Sequence, residues 1–458
     1  MALPPDTERN RFTARASRYG RVGTNLGGAA LRMAGQRLFG ADDDKAAAAA
    51  LTAALGNLKG PIMKVAQLLA TIPEALPPEY AEELSQLQSN APPMGAAFVK
   101  RRMAAELGLD WEKRFRSFDR LPAAAASLGQ VHRATLPDGR PVAVKLQYPD
   151  MQSAVEADLK QLDLAFSVHR RFRPAVDTRE IFTEIADRIR EELDYTREAR
   201  HARLYGEVLS GDELVRVPAV HADLSTRRLI TLDWLEGRRL LDHKEADQAT
   251  RNRLSTALFQ AWWYPFAHVG IIHGDPHLGN YTAFDREEGG ETVTGAGINL
   301  LDYGCIRIFP PAFVGGVVDL YHGLRTHDGE RIVHAYETWG FRGLKKDLIE
   351  VLNIWARFIY GPLLDDRVRT VADGVSPGQY GREQAFRVHQ ALKEKGPVTI
   401  PREFVFMDRA AIGLGGVFLH LDAELNFHRL FEEQIEDFSL AALTEKQAGA
   451  LARAGLAG

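Results

Sequence analysis

The residues best suited to chemistry cluster in "IIHGDPHLGN", Ile271 to Asn280, where two histidines, an aspartate and an asparagine share a turn-rich stretch. A zinc site would use His273 and His277, whose four-residue spacing puts both on one face only in a continuous helix. Gly274 and Pro276 interrupt any such helix, and no nearby cysteine or further histidine completes a ligand set. Phosphoryl transfer fits better. It needs an aspartate beside the attacking hydroxyl or water, and an asparagine a few residues on for a metal. Asp275 and Asn280 have that Asp-x4-Asn spacing. Small-molecule phosphotransferases share the pattern, so the loop alone leaves the acceptor open.

Twenty-seven residues after Asp275 comes the aspartate of "LLDYG", Leu300 to Gly304. An apolar strand ending in Asp, an aromatic and Gly has the form of a kinase metal-binding motif, with Asp302 as the ligand. A plain strand end with a turn is the alternative. Magnesium takes few protein ligands beside phosphate oxygens and water, so Asp302 with Asn280 is a sufficient share. A third part is "VAVK", Val142 to Lys145. A strand that half-buries one lysine needs partners for the charge. Phosphate and a helix carboxylate are the natural ones. "EELDYTREA", Glu191 to Ala199, offers several carboxylates. On one continuous helix Glu191, Asp194 and Glu198 share a face, and Glu192 points roughly 120° from Glu198. Two faces suggest two partners, although a solvated acidic face would look the same. In place of the usual Gly-x-Gly-x-x-Gly over the phosphates stands "PAAAASLGQV", Pro122 to Val131. Alanine hinders positive φ and close backbone approach, so phosphates must be held differently here.

The elements that position these residues read as follows. Residues 1–41 form a basic leader with seven Arg, either frayed or attracted to anionic lipid. Residues 42–108 read as a helical extension, rich in helix formers and broken at Pro73 and Pro77–Pro78. From 109 to 236 the period changes to strands mixed with helix, with a turn at Pro137–Asp138–Gly139. Helices are expected over roughly 150–172 and 177–207, and from about Ala246 to His268. Residues 237–458 read as mainly helical. The whole is a two-lobed α+β layout.

Composition sets limits. The chain has 458 residues, 45% apolar and 26% charged, with a net charge of −4. That balance argues against a nucleic-acid binder. One cysteine, Cys305, excludes an internal disulfide. No apolar run reaches the ~18 residues of a membrane span, and no secretory start is visible. The expected location is cytoplasmic, with a peripheral place on the inner face of a membrane open to it.

Together these residues resemble the UbiB family of atypical protein-kinase-like proteins, the aarF-domain kinases associated with ubiquinone (coenzyme Q) biosynthesis. The similarity covers roughly residues 50–420. Its marks are the Ala-rich loop "AAAS" running into "GQVH", the "ELD" after a long helix, and "KVAQ", Lys64 to Gln67. The resemblance implies a protein-kinase-like fold with an N-terminal helical extension and a mainly helical C-lobe. It implies ATP or ADP binding with Mg2+. It makes Lys145 the phosphate-contacting lysine, Glu198 its partner, Asp275 the catalytic aspartate, and Asn280 and Asp302 the metal ligands. Ala124, Ala125, Ala126 and Ser127 fall in the nucleotide loop, with Ala126 shaping nucleotide preference. Lys64 and Gln67 match the family's Lys-x-Gly-Gln motif, whose helix folds over the active site. Glu192 and Asp194 match its Glu-x-Asp motif, a regulatory partner of Lys64.

The chain departs from the family in three places. Ala66 replaces the motif's glycine, Leu278 replaces a common proline, and the family's C-terminal membrane spans are not evident. The resemblance further implies ATPase activity, a helical extension that blocks peptide substrates, and partners among ubiquinone-biosynthesis enzymes at a membrane. Protein kinase activity in trans is not expected. Two other readings stay open: a small-molecule kinase of the aminoglycoside- or choline-kinase type, and a nucleotide-gated scaffold without turnover.

Overall fold

The protein is described from a computed structural model. It describes residues 94–125, 128–157, 159–160, 186–187, 189–373 and 402–457. In chain order these form helix α1 (Ala96–Leu107), strands β1 (Ser117–Phe118), β2 (Ala124–Ala125), β3 (Gly129–Thr135) and β4 (Pro141–Gln147), and helix α2 (Tyr195–Val208). Strands β5 (Val215–Arg216), β6 (Leu229–Asp233) and β7 (Arg238–Arg239) follow, then the long helix α3 (Gln248–Val269). Next come strands β8 (Ile271–His273), β9 (Tyr281–Glu288), β10 (Glu291–Leu300) and β11 (Ile306–Ile308). Helices α4 (Pro311–Thr326), α5 (Gly329–Thr338), α6 (Lys346–Tyr360), α7 (Arg402–Leu421), α8 (Phe427–Ile435) and α9 (Leu440–Ala454) complete the order. The chain divides into two compact units, Met1–Ala199 with Val220–Trp234, and Arg200–Ala219 with Leu235–Gly458.

The first unit is built on an antiparallel sheet of order β1-β3-β4-β6, with β2 beside β3. Its centre is the β3–β4 hairpin, turned at Pro137–Asp138–Gly139. Gly139 takes φ 92° there, and Asp138 accepts from the Arg140 N–H. Strand alternation in β4 sends Val142, Val144 and Leu146 into the core and Lys145 to the opposite face. Helix α1 covers the core face with Val99 and Met103, beside Trp111, Phe115 and Phe118. Each such apolar side chain contributes about 1.5–3 kcal/mol by leaving water. Buried Arg102 of α1 fixes the helix to the sheet: its guanidinium donates to the Gln147 and Tyr148 carbonyls at 3.2 Å. Glu106, one turn on, accepts from Arg228 at 2.8 Å and from Thr226 at 2.6 Å.

In the second unit α3 is buried on nearly all sides, which suits its Trp-, Phe- and Leu-rich sequence. Asp247 caps its start by accepting from the Thr250 N–H, and Gly270 ends it in the left-handed conformation. A four-stranded sheet of order β5-β10-β9-β7 lies in this unit, with a separate two-stranded ribbon of β8 and β11. The β9–β10 hairpin turns at Gly289 and Gly290, both at positive φ, as tight hairpin turns require. Strand β9 had no counterpart in the sequence pattern above; its outer half, Asp285 to Glu288, is charged throughout. No helix among the described residues is long and apolar enough to cross a membrane.

Candidate active site

The ribbon organises the loop. His273 pairs with Ile306, and the Gly274 N–H then donates to the Cys305 carbonyl at 2.9 Å. Asp275 leaves one strand at this point, and Asp302 enters the other just ahead of it. Buried His273 joins them. Its Nδ1 accepts from the Asp275 N–H at 3.3 Å, and its Nε2–H donates to the Asp302 carbonyl at 2.7 Å. Both ring nitrogens are thus used by one neutral tautomer. The ring sits among Trp262, Tyr205 and Tyr281, with centroids 6.0–6.5 Å away. Burial pushes the Tyr281 hydroxyl well above its ordinary range, and the Asp275 and Asp302 carboxylates add to the push.

Asn280 completes the loop. Its Nδ2 donates to the Asp275 carbonyl at 3.0 Å, so its Oδ1 is the end left for a hard cation. Its backbone carbonyl accepts from the Leu301 N–H at 3.0 Å, which fastens the loop to the strand leading into Asp302. Asp302 Oδ1 accepts from the Gly304 N–H at 3.0 Å, so its carboxylate is held by its own turn. An amide oxygen and a carboxylate are hard oxygen donors of the kind magnesium takes. His277 accepts from the Gly279 N–H and shapes the turn. Gly274 is required by space: a Cβ there would lie 2.5 Å from the Cys305 carbonyl oxygen.

In the first unit the Lys145 ammonium lies 2.7 Å from Glu198 Oε1, and the two side chains are 15% and 3% exposed. The Tyr195 ring stands 5.1 Å from the same ammonium. The carboxylates of 191–198 do not share one helix face. The helix breaks at residues 192–194, and Asp194 caps the new helix by accepting from the N–H groups of Thr196 and Arg197. Glu191 pairs with Arg197 at 2.7 Å. One turn after Glu198, His201 Nδ1 hydrogen-bonds the Tyr303 carbonyl at 3.1 Å. His201 was missed in the sequence, although its place three residues after Glu198 was a usable signal.

Ala124 and Ala125 form β2, paired with Val131 and Gln130 and exposed. Ala126, Ser127, Lys64 and Gln67 lie outside the described residues. The "GQVH" segment does packing work. A Cβ on Gly129 would come within 2.2 Å of the Leu146 carbonyl oxygen. The Gln130 side chain clamps the Met94 backbone, accepting its N–H at 2.6 Å. His132 links Gln130 at 2.8 Å to the Asp119 carbonyl at 2.7 Å, and burial lowers its pKa.

The second unit carries an Asp-x4-Asn loop joined through a histidine to an Asp-Tyr-Gly turn, and the first carries a strand lysine paired to a helix glutamate; each has the form of a protein-kinase motif. A profile of the ABC1 atypical kinase-like domain matches residues 86–336, and the chain belongs to that family. It is 30% identical over 374 residues to the uncharacterized protein sll1770 of Synechocystis, covering 80% of this chain and 60% of that protein. It is 32% identical to AarF domain-containing protein kinase 1 of Xenopus laevis, over 60% of this chain and 52% of the relative. Against the atypical kinase COQ8, mitochondrial, of Saccharomyces cerevisiae, identity is 31% over 58% of this chain and 51% of the relative. The chain therefore spans between about half and three-fifths of these relatives. The solved complex of Rv3197 with erythromycin from Mycobacterium tuberculosis aligns at a TM-score of 0.58 and 27% identity, over 90% of this chain and 98% of that one. The fold is the kinase-like α+β fold with a mainly helical second unit.

Proposed function

We propose that this protein binds a magnesium nucleotide and hydrolyses ATP as an atypical kinase, in support of ubiquinone biosynthesis at a membrane. The observation that carries this reading is His273, whose two nitrogens tie the Asp275 backbone to the Asp302 backbone. Fixed placement of a base and a metal ligand is what phosphoryl transfer asks of a protein.

Lys145, oriented by Glu198, meets phosphate oxygens. Asn280 Oδ1 and the Asp302 carboxylate would hold Mg2+, which would supply positive charge against that building on the phosphates. Asp275 orients a water and takes its proton. The water oxygen bonds to the γ-phosphorus, the bond to the bridging oxygen breaks, and ADP leaves with that electron pair. Water is the acceptor favoured here, because the family resemblance makes peptide substrates unexpected. The link to quinone synthesis rests on that resemblance, as does the proposed place beside anionic membrane lipid and ubiquinone-pathway enzymes. Lys64 and Gln67 are proposed to regulate the site through Glu192 and Asp194.

The test is Asp302→Asn, measured by nucleotide titration with and without Mg2+ and by phosphate release. Loss of magnesium-dependent binding and of turnover is expected. Unchanged affinity and hydrolysis would sink the proposal.

A further inference from the structure

The ribbon that carries both acids is clamped at its far end by a residue beyond the family match. Gln447, in the middle of α9, is 8% exposed. Its Nε2 donates to the carbonyls of Val269 and Phe309, each at 2.9 Å. Val269 is the last residue of α3, where carbonyls have no helical partner. Phe309 follows β11, and its N–H donates to the Gly270 carbonyl at 2.8 Å. Gly270 keeps space for the clamp: a Cβ there would stand 2.5 Å from Gln447 Nε2. From this end the ribbon pairs Ile271 with Ile308, Ile272 with Arg307 and His273 with Ile306. It then opens into Asp275 on one strand and Asp302–Gly304 on the other.

We propose that Gln447 is a positioning residue for the phosphoryl-transfer site. It holds the start of β8 and the end of β11 at one separation, and the ribbon passes that separation on to Asp275 and Asp302. A primary amide suits the task, because its two N–H groups diverge and each can serve one carbonyl. Magnesium–nucleotide binding thereby depends on the C-terminal helix α9. This inference rests on the function proposed above.

The test compares Gln447→Met, of similar length without donors, and Gln447→Glu, of the same shape but accepting only, with wild type. Arg453→Ala serves as a control, because Arg453 lies on the same helix in an exposed pair with Glu207. Two quantities are read: the Mg2+ dependence of nucleotide binding, and amide exchange in the nucleotide-free protein. Groups that orient metal ligands are worth ~10–100-fold in affinity, and Gln447 acts one step further out, so the Mg2+ concentration at half-saturation should rise roughly 3- to 10-fold. Exchange should quicken by about tenfold at Gly274, Asp275 and Gly304, with α5 unchanged, as a local opening requires. The control should match wild type.

Exchange that quickens equally in the ribbon and in α5, with an unchanged Mg2+ requirement, would overturn the proposal in favour of a purely structural glutamine. Wild type that binds no magnesium nucleotide would overturn the functional reading instead. The positioning claim would then be decided by the exchange at Gly274, Asp275 and Gly304, where no local change refutes it. Should one variant fail to fold, the other carries both measurements.

Discussion

Gly274→Ala is the most direct probe of the site's construction. The glycine's backbone is one that alanine adopts, so the effect is purely spatial. The new Cβ would lie 2.5 Å from the Cys305 carbonyl oxygen, against ordinary contact at 3.4–4 Å. The strands must therefore part by roughly 1 Å at that point, an overpacking cost of about 1–3 kcal/mol. The Gly274 N–H donates to that same oxygen at 2.9 Å, so the separation stretches the last ribbon bond before Asp275. A shift of about 1 Å in a catalytic group lowers rate on the order of 100-fold, or about 2.7 kcal/mol in the barrier. The expected result is a folded protein of lower unfolding midpoint whose ATP hydrolysis falls roughly 10- to 100-fold, with weaker Mg2+ dependence. Phosphate release and thermal unfolding measured together decide it. A stable Gly274→Ala protein with wild-type turnover would refute the claim that ribbon spacing sets the acids.

Further outcomes follow from other parts of the molecule. Lys145→Met removes the ammonium 2.7 Å from buried Glu198, so stability should fall, by up to about 3–5 kcal/mol, while Lys145→Met with Glu198→Leu should recover much of it; denaturant unfolding of the pair measures this. Nucleotide affinity should be lost in both proteins, and its retention would remove Lys145 from the site. Burial lowers the His132 pKa, so the unfolded chain binds the proton more tightly. Stability from this group is complete above the unfolded value of about 6.5 and is lost as pH falls below it. Wild type should therefore lose more stability than His132→Gln between about pH 7 and pH 5, and parallel curves would contradict this. Ala126→Gly should shift preference between ATP and ADP, because glycine lets the backbone approach phosphate more closely; equal affinity ratios in matched titrations would count against it.

Legibility differed between residues for physical reasons. Lys145 was readable because β-branched and small residues in "VAVK" fix a strand, and one lysine in it demands a partner. Which carboxylate answers was not fixed by spacing, since Asp194 favours capping over continuing the helix. Asp275, Asn280 and Asp302 stood out through local spacing. The role of His273 needed the pairing of β8 with β11, which joins segments more than thirty residues apart. The contacts of Gln130 and Gln447 were unreadable for the same reason: each side chain is used on backbone far away in sequence. β9 was hidden by the charges on its outer half, although Gly289–Gly290 offered a turn signal.

The β9–β10 hairpin has a consequence for how the protein folds. It lies in the span between Asp275 and Asp302 and zips from its own turn, so its strands bring Tyr281 opposite Leu300 through local contacts. Hairpins of this kind form in roughly 1–10 μs, far faster than a free loop search over long separations usually allows a whole domain to fold. Pairing within the hairpin thus brings the segments that carry the two acids toward one another through local contacts. The tip at Gly289 and Gly290 is exposed, with open space around both glycines. Extra residues inserted there would lengthen the hairpin's end without altering the paired stem, which makes the tip a natural place to attach a reporter.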